Sequence, residues 1–241
     1  MSPDTRIHLP PIAGYHPTTL IDWPGRLAAI VFLPGCNFRC PFCHAGPLLG
    51  EPAEIVPIDR VLAHLADRDD WLDGVVVCGG EPTLQPALAD LCRCFRETGL
   101  AVKLDTNGTR PAVVETLLSD GLVDAVAMDF KAPLDARYAE ACGVETVDLE
   151  AVRRSVALLR AGDVEYEFRT TVVPTLHGEE EIRAMGAAIA GADAWTLQPF
   201  EPEGALAPSY RTIRPYPPAE MAALADLGRT FVARCRVRGQ G

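Results

Sequence analysis

No run of about 18 apolar residues occurs in the 241-residue sequence, so no membrane-spanning helix is expected. The opening stretch, MSPDTRIHLPPIAGYHP, lacks the basic start and apolar run of an export leader. The expected location is therefore the cytoplasm, where disulfides are rare. Eight cysteines then read as metal ligands or small buried side chains rather than as bridges. Positive charge is also short: 22 Lys and Arg face 33 Asp and Glu, a formal net charge of −11. That deficit argues against nucleic acid as the main partner, since phosphate binding rests on clustered cations. No linker, compositional break or repeat divides the chain, and one domain over 1–241 is the expected organisation. What is present, 48% hydrophobic and 23% charged residues, is globular and sufficient for a sizeable core.

Near-continuous apolar runs lie at 27–33, 74–78, 100–106, 123–130, 166–173 and 194–200, as in strands covered on both faces. Helical spacing appears at 57–68, 86–99, 112–121, 149–162, 179–191 and 217–236. Six strands alternating with six helices imply right-handed βαβ units and a parallel sheet. The expected fold is α/β, a single-domain incomplete (β/α)6 barrel. In such folds the working groups sit at the C-terminal ends of the strands. Those ends read as a cysteine cluster, then CGGEP (78–82), DTNG (105–108) and MDFK (128–131). The fifth strand carries Arg169, Thr170 and Thr171, and the sixth ends in QPFEPEG (198–204).

The cluster, FLPGCNFRCPFCHAGPLL (32–49), contains Cys36, Cys40, Cys43 and His44. As a c-type haem site (C-P-F-C-H) it leaves Cys36 without a role and requires export. A closed zinc site usually draws on two separated ligand pairs, and adjacent Cys43 and His44 are poorly placed for one ion. Ordinary core cysteines are rarely so concentrated. Three thiolates on a four-iron cluster would leave one iron open to a small molecule, and Gly35 permits a close backbone wrap.

CNFRCPFCH followed by GGEP (79–82) resembles the radical S-adenosylmethionine superfamily. The resemblance implies a [4Fe–4S] cluster on Cys36, Cys40 and Cys43, with S-adenosylmethionine chelating the open iron. It implies reductive cleavage to methionine and a 5′-deoxyadenosyl radical that abstracts hydrogen from a substrate. It also implies that Gly79, Gly80 and Glu81 receive the methionine amino group. LDTNGT and MDFKAP resemble the pyruvate formate-lyase activating branch, which implies cofactor roles for Asp105, Thr106, Asp129 and Lys131. Lys131 would meet the methionine carboxylate, and Asp105 and Asp129 would share a monovalent cation. The same match places Arg169 near the cofactor; a mid-strand arginine requires a polar interior or a partner. The plainer reading of Asp105, Thr106 and Asn107 is a turn, since Asn-Gly favours one. The branch often carries a histidine after the sixth strand, where this chain has Gln198 or Glu201. It often carries asparagine after the Cys-His pair, where this chain has Ala45.

TTLIDWPGRLAAIVFLPGCNFRCPFCH, KLDTNGTRP, VAMDFKAP and YEFRTTVVPTL together resemble anaerobic ribonucleoside-triphosphate reductase activating proteins. The likeness covers roughly 14–204 and leaves 205–241 as a helical extension. It implies a glycyl radical enzyme, anaerobic ribonucleotide reductase, as protein substrate and a flavodoxin- or ferredoxin-type electron donor. Two alternatives stay open: a radical enzyme acting on a small molecule or peptide, and a non-catalytic iron–sulfur or zinc protein. Arg211 and Arg214 are candidates for contact with an acidic partner. Cys78, Cys92, Cys94, Cys142 and Cys235 are scattered and read as core or surface residues. His8, His16, His64 and His177 are isolated and receive no ligand role.

Overall fold

The computed structural model describes residues 9–52, 54–68 and 70–239; His8 lies outside them. In chain order the regular elements begin β1 (Gly14–Thr19), β2 (Ala28–Leu33), α1 (Ile58–Ala66), β3 (Gly74–Gly79) and α2 (Leu88–Arg96). They continue with β4 (Ala101–Thr106), α3 (Pro111–Ser119), β5 (Ala125–Asp129), α4 (Ala136–Cys142) and α5 (Leu149–Ala161). The last are β6 (Glu165–Val172), α6 (Glu179–Ala188), β7 (Ala194–Pro199), α7 (Pro218–Gly228) and β8 (Arg234–Val237). The eight strands follow chain order in a mostly parallel α/β arrangement. Two compact units make up the chain. One runs to Asn37 and includes 47–106 and 110–126; the other comprises 38–46, 107–109 and everything from Ala127 onward.

In the first unit β1 is antiparallel to β2, while β2, β3 and β4 are parallel. Ile30, Val76 and Lys103 share one rung, and Val31, Val77 and Leu104 the next. Residues on one rung point to the same face. Ala28, Ile30 and Val76 therefore pack together, and Trp23 and Ala125 complete the buried cluster. Val31, Val77 and Leu104, on the opposite face, are buried as well. Burial of both faces is why these strands read as apolar runs without alternation.

In the second unit β6, β7 and β8 are parallel, with Thr170, Leu197 and Val237 on one rung. β6 alternates strictly: Tyr166, Phe168, Thr170 and Val172 are buried, and Glu167, Arg169 and Thr171 only partly so. Its arginine thus belongs to a polar face rather than to the core. α5 buries Val152, Ser155, Val156 and Leu159, a stripe at helical spacing.

All six expected strands are present, and β1 and β8 are additional. β1, GYHPTT, has little apolar content because it pairs on one side only and is largely exposed. The helix expected over 217–236 is shorter than the sequence reading. α7 ends at Gly228, and RCRV then alternates exposed and buried with the period of a strand. α4 lies where no element was expected. It is short, Asp135 caps its start through the Arg137 amide, and left-handed Gly143 (φ 63°) ends it. No helix among the described residues is long and apolar enough to cross a membrane.

Ile30→Ala should lower stability by about 2–5 kcal/mol, the usual range for a large core truncation. Leu20→Ala, at a side chain 69% exposed, should change it by no more than about 0.5 kcal/mol. Urea unfolding followed by tryptophan fluorescence measures both, and equal losses would contradict the core assigned to this unit.

Candidate functional site

The strand ends of the first unit carry several of the residues singled out from the sequence. Beyond β2 the chain continues Pro34-Gly35-Cys36, and the turn after β3 lies against it. Gly80 N donates to Leu33 O (2.9 Å) and Glu81 N to Gly35 O (2.7 Å). A Cβ on Gly79 would stand 2.3 Å from Leu33 O, and one on Gly80 would stand 2.0 Å from Gly35 O. Gly79 also has φ 123°. Only glycine permits such an approach, so the pair of glycines presses on the backbone immediately before Cys36. Gln85 Nε2 grips the same segment at Pro34 O (2.7 Å).

Glu81 is 1% exposed. Its Oε1 accepts from Thr83 N (3.1 Å), from the Thr83 hydroxyl and from the Thr106 hydroxyl (2.6 Å). A buried carboxylate requires donors of this kind. Thr106 therefore acts here on Glu81. Asp105 lies 2.6 Å from the Lys103 ammonium, with both side chains nearly buried, and Lys103 also donates to Asp22 O (2.7 Å). The sequence reading passed over Lys103. A signal was available: the chain contains two lysines, Lys103 and Lys131, each two residues from an aspartate. Everywhere else its basic side chains are arginine or histidine.

The second unit holds Cys40 and Cys43. Cys43 N donates to Cys40 O (3.0 Å), and Ala45 N reaches Cys43 Sγ (3.3 Å). The stretch after β7 braces this loop: Leu206 N donates to Cys43 O (3.0 Å) and Ala207 N to Pro41 O (2.9 Å). His44 Nε2 donates to Glu201 O (2.7 Å), so Glu201 meets the loop through its backbone. Gln198 Oε1 accepts from Arg238 (3.2 Å).

β5 ends on Asp129. Its Oδ2 accepts from Lys131 Nζ (3.0 Å), and its Oδ1 from Arg169 Nη2 (3.0 Å) and Nε (3.2 Å). Burial works against the Asp129 charge, but Lys131 and Arg169 outweigh it and bring the pKa down to about 2. Burial likewise opposes the Lys131 ammonium; Asp129, with the Cys40 and Cys142 thiols, holds its pKa well above the usual lysine value. Lys131 Nζ stands 6.0 Å from the Phe42 ring centre. A hydrogen bond from Cys142 draws the Cys40 thiol down to about 7, against burial and with help from Lys131. Burial pushes the Cys43 thiol up.

His177, given no ligand role from the sequence, sits behind Lys131. It is 1% exposed. Nδ1 accepts from Val173 N (3.0 Å), which places the proton on Nε2, and Nε2 donates to Lys131 O (2.8 Å). Nothing in the string TLHGEE marks this residue; its role follows from the loop geometry.

None of the eight cysteines forms a disulfide. Cys92, Cys94 and Cys235 are core residues, and burial pushes the Cys92 thiol up to about 12. Cys36 belongs to the first unit, Cys40 and Cys43 to the second. Among the described residues no three His, Cys, Asp or Glu side chains converge as they would around a single ion. A four-iron cluster offers each thiolate its own iron, so its ligands need not converge on one atom. Cys40 and Cys43, in the second unit, are unbridged thiols, the donor type such a cluster takes.

Comparison with known proteins agrees with this chemistry. Residues 30–186 match the model of the radical SAM superfamily. The chain is 30% identical over 233 residues to a Methanocaldococcus jannaschii protein named "Putative glycyl-radical enzyme activating enzyme", covering 94% of this chain and 95% of that protein. It is 36% identical over 94 residues to the pyruvate formate-lyase-activating enzyme of Staphylococcus aureus, covering 36% and 37% of the two chains. Among solved structures, Streptococcus suis SuiB bound to its precursor peptide SuiA superposes with a TM-score of 0.66 at 17% identity. That match spans 85% of this chain and 47% of SuiB, and it supports the fold.

His177 makes stability depend on pH in a defined window. Burial lowers its pKa from 6.5 to about 4, so between those values the unfolded chain binds the proton more readily. Its contribution is complete above pH 6.5 and is lost as pH falls toward 4. His177→Gln should flatten the pH dependence of the urea midpoint between 6.5 and 4; an unchanged slope would remove His177 from this account.

Proposed function

The chain belongs to the radical SAM superfamily, and from that membership we propose that it is a glycyl radical enzyme activase whose protein substrate is an anaerobic ribonucleotide reductase. The observation that carries this reading is the Lys131 ammonium, paired with Asp129 at 3.0 Å and 6.0 Å from the ring of Phe42, the residue before Cys43. A cation fixed beside a cluster ligand suits a cofactor that brings a carboxylate to the cluster. The superfamily uses a [4Fe–4S] cluster and S-adenosylmethionine.

On this reading Cys36, Cys40 and Cys43 hold the cluster. Gly79, Gly80 and Glu81 receive the amino group of S-adenosylmethionine, and Asp105, Thr106, Asp129, Lys131 and Arg169 bind or order its remainder. Bound together, cluster and S-adenosylmethionine supply a carbon radical that removes a hydrogen atom. The protein's own contribution is placement. Thr83 and Thr106 fix the Glu81 carboxylate. Arg169 fixes Asp129, which in turn aims Lys131. His177 holds the backbone from which Lys131 projects. The electron enters from a flavodoxin- or ferredoxin-type donor. Likeness to a glycyl-radical activating protein along 94% of the chain supports a protein substrate.

Protein reconstituted without oxygen should bind about four irons. Alanine at Cys36, Cys40 or Cys43 should abolish this, whereas Cys92→Ala should not. Lys131→Ala should keep the iron and weaken S-adenosylmethionine binding by about 2–5 kcal/mol, as measured by calorimetry. With the reductase and a reductant, a doublet paramagnetic signal should appear on the partner. Deuterium at the partner's glycine Cα should then move into 5′-deoxyadenosine. Transfer from a small heterocycle or an unrelated peptide in its place would overturn the activase reading and leave the family membership standing.

A further inference from the structure

Resemblance assigns Asp105 and Asp129 a shared monovalent cation. The structure gives each of them a side-chain cation of its own unit instead. Asp129 holds Lys131 on one oxygen and Arg169 on the other. Asp105 Oδ1 accepts from Lys103 Nζ at 2.6 Å. Lys103 is 3% exposed and Asp105 9%, so solvent screens this pair little. The same ammonium donates to Asp22 O at 2.7 Å. Asp22 is held in turn by Thr19, whose hydroxyl donates to Asp22 Oδ2 (2.6 Å). Lys103 reaches Asp105 because it lies two residues before it on β4, on the same face, in the rung of Ile30 and Val76.

We infer that Lys103 is a positioning residue whose ammonium takes the place of the monovalent cation at Asp105, so that this chain needs no bound sodium or potassium there. The inference rests on the proposed function only in counting Asp105 as a cofactor-site residue. The oxygens around Lys103 Nζ support the exchange. A carboxylate oxygen and a main-chain carbonyl oxygen are the ligands that hard cations take. An ammonium group is also close to a potassium ion in size. Here it is tethered to the strand that carries Asp105, so it is not drawn from solution. Its charge excludes a competitor as well, because a second cation a few ångströms away in a buried site is repelled. The same holds at Asp129, where two side-chain cations already meet one carboxylate. Without Lys103 the Asp105 carboxylate would be a buried anion short of a counter-ion, a costly state. Sodium or potassium would then fill the position.

The test is urea unfolding of the full-length chain in sodium, potassium and tetramethylammonium chloride at equal ionic strength. Tetramethylammonium is too large to replace a bound ion. The parent should give the same midpoint in all three salts, and a saturable rise in sodium or potassium overturns the inference. Lys103→Met, which keeps the stem without the charge, should gain that dependence. Sodium or potassium should raise its folded-to-unfolded ratio about tenfold at roughly ten times the ion's dissociation constant. Combining Lys103→Met with Asp105→Asn should remove the dependence again, which assigns the ion to Asp105. A lysine with a merely structural role would leave Lys103→Met weaker but indifferent to the salt, and that result overturns the inference. Should Lys103→Met fold in none of the salts, Lys103→Gln carries the same comparison. A parent chain that holds no cluster or binds no S-adenosylmethionine would sink the proposed function, whereas the salt comparison needs neither.

Discussion

The second unit is organised around one carboxylate. Asp129 sits at the end of β5 and binds two cations on its two oxygens, Lys131 on one and Arg169 on the other. Neither cation would be tolerated in these surroundings alone, because withdrawing a charge from water is expensive unless a partner is at hand. Asp129 removes that obstacle for both and is itself held ionised by them. Once Lys131 is fixed in this way, the electrostatics of the cysteine loop follow. The Cys142 thiol, and to a lesser extent the Lys131 ammonium, favour the thiolate of Cys40 against burial. The fold contributes the backbone that makes this possible. Phe130 N donates to Arg169 O (2.7 Å), the Thr170 hydroxyl donates to Phe130 O (2.6 Å), and His177 takes the Lys131 carbonyl.

The first unit solves a similar problem with different means. Its polar residues are also buried in pairs: Lys103 with Asp105, and Glu81 with Thr83 and Thr106. Among its cysteines, Cys36 is approached through backbone contact, and that contact is why two consecutive glycines stand at 79 and 80. Both lysines of the chain are thus spent on aspartates two residues away, one in each unit. In β4 the strand makes this spacing useful, since residues i and i+2 share a face, whereas Lys131 reaches Asp129 from just beyond the end of β5. Lysine suits such sites because its ammonium is a compact charge on a flexible stem, whereas the planar guanidinium of Arg169 spans one carboxylate oxygen with two nitrogens.

The local pattern of the chain determined a great deal. The apolar runs located all six internal strands: β2, β3 and β4 because burial on both faces leaves a continuous apolar run, and β6 through a buried face that alternates with a polar one. The spacing of Cys36, Cys40 and Cys43 is what the proposed cluster ligand set rests on, because three thiols in one short loop have few other uses. GGEP, Asp129 and Lys131 stood out in the sequence because each motif lies within a few consecutive residues, whereas the ion pair between Asp129 and Lys131 emerged only in the structure. Tertiary structure decided everything that depends on residues distant in sequence. β1 and β8 are strands because they find partners in β2 and β7, which their own letters do not announce. Arg169 became the second cation on Asp129 only when β6 brought it from 40 positions away. His177 and Cys142 look like incidental core residues in the sequence, and packing alone set His177 against the carbonyl of Lys131 and the Cys142 carbonyl against the amide of Arg39. Hydrogen bonds and ion pairs act over a few ångströms of space, and only folding turns distance along the chain into distance of that kind.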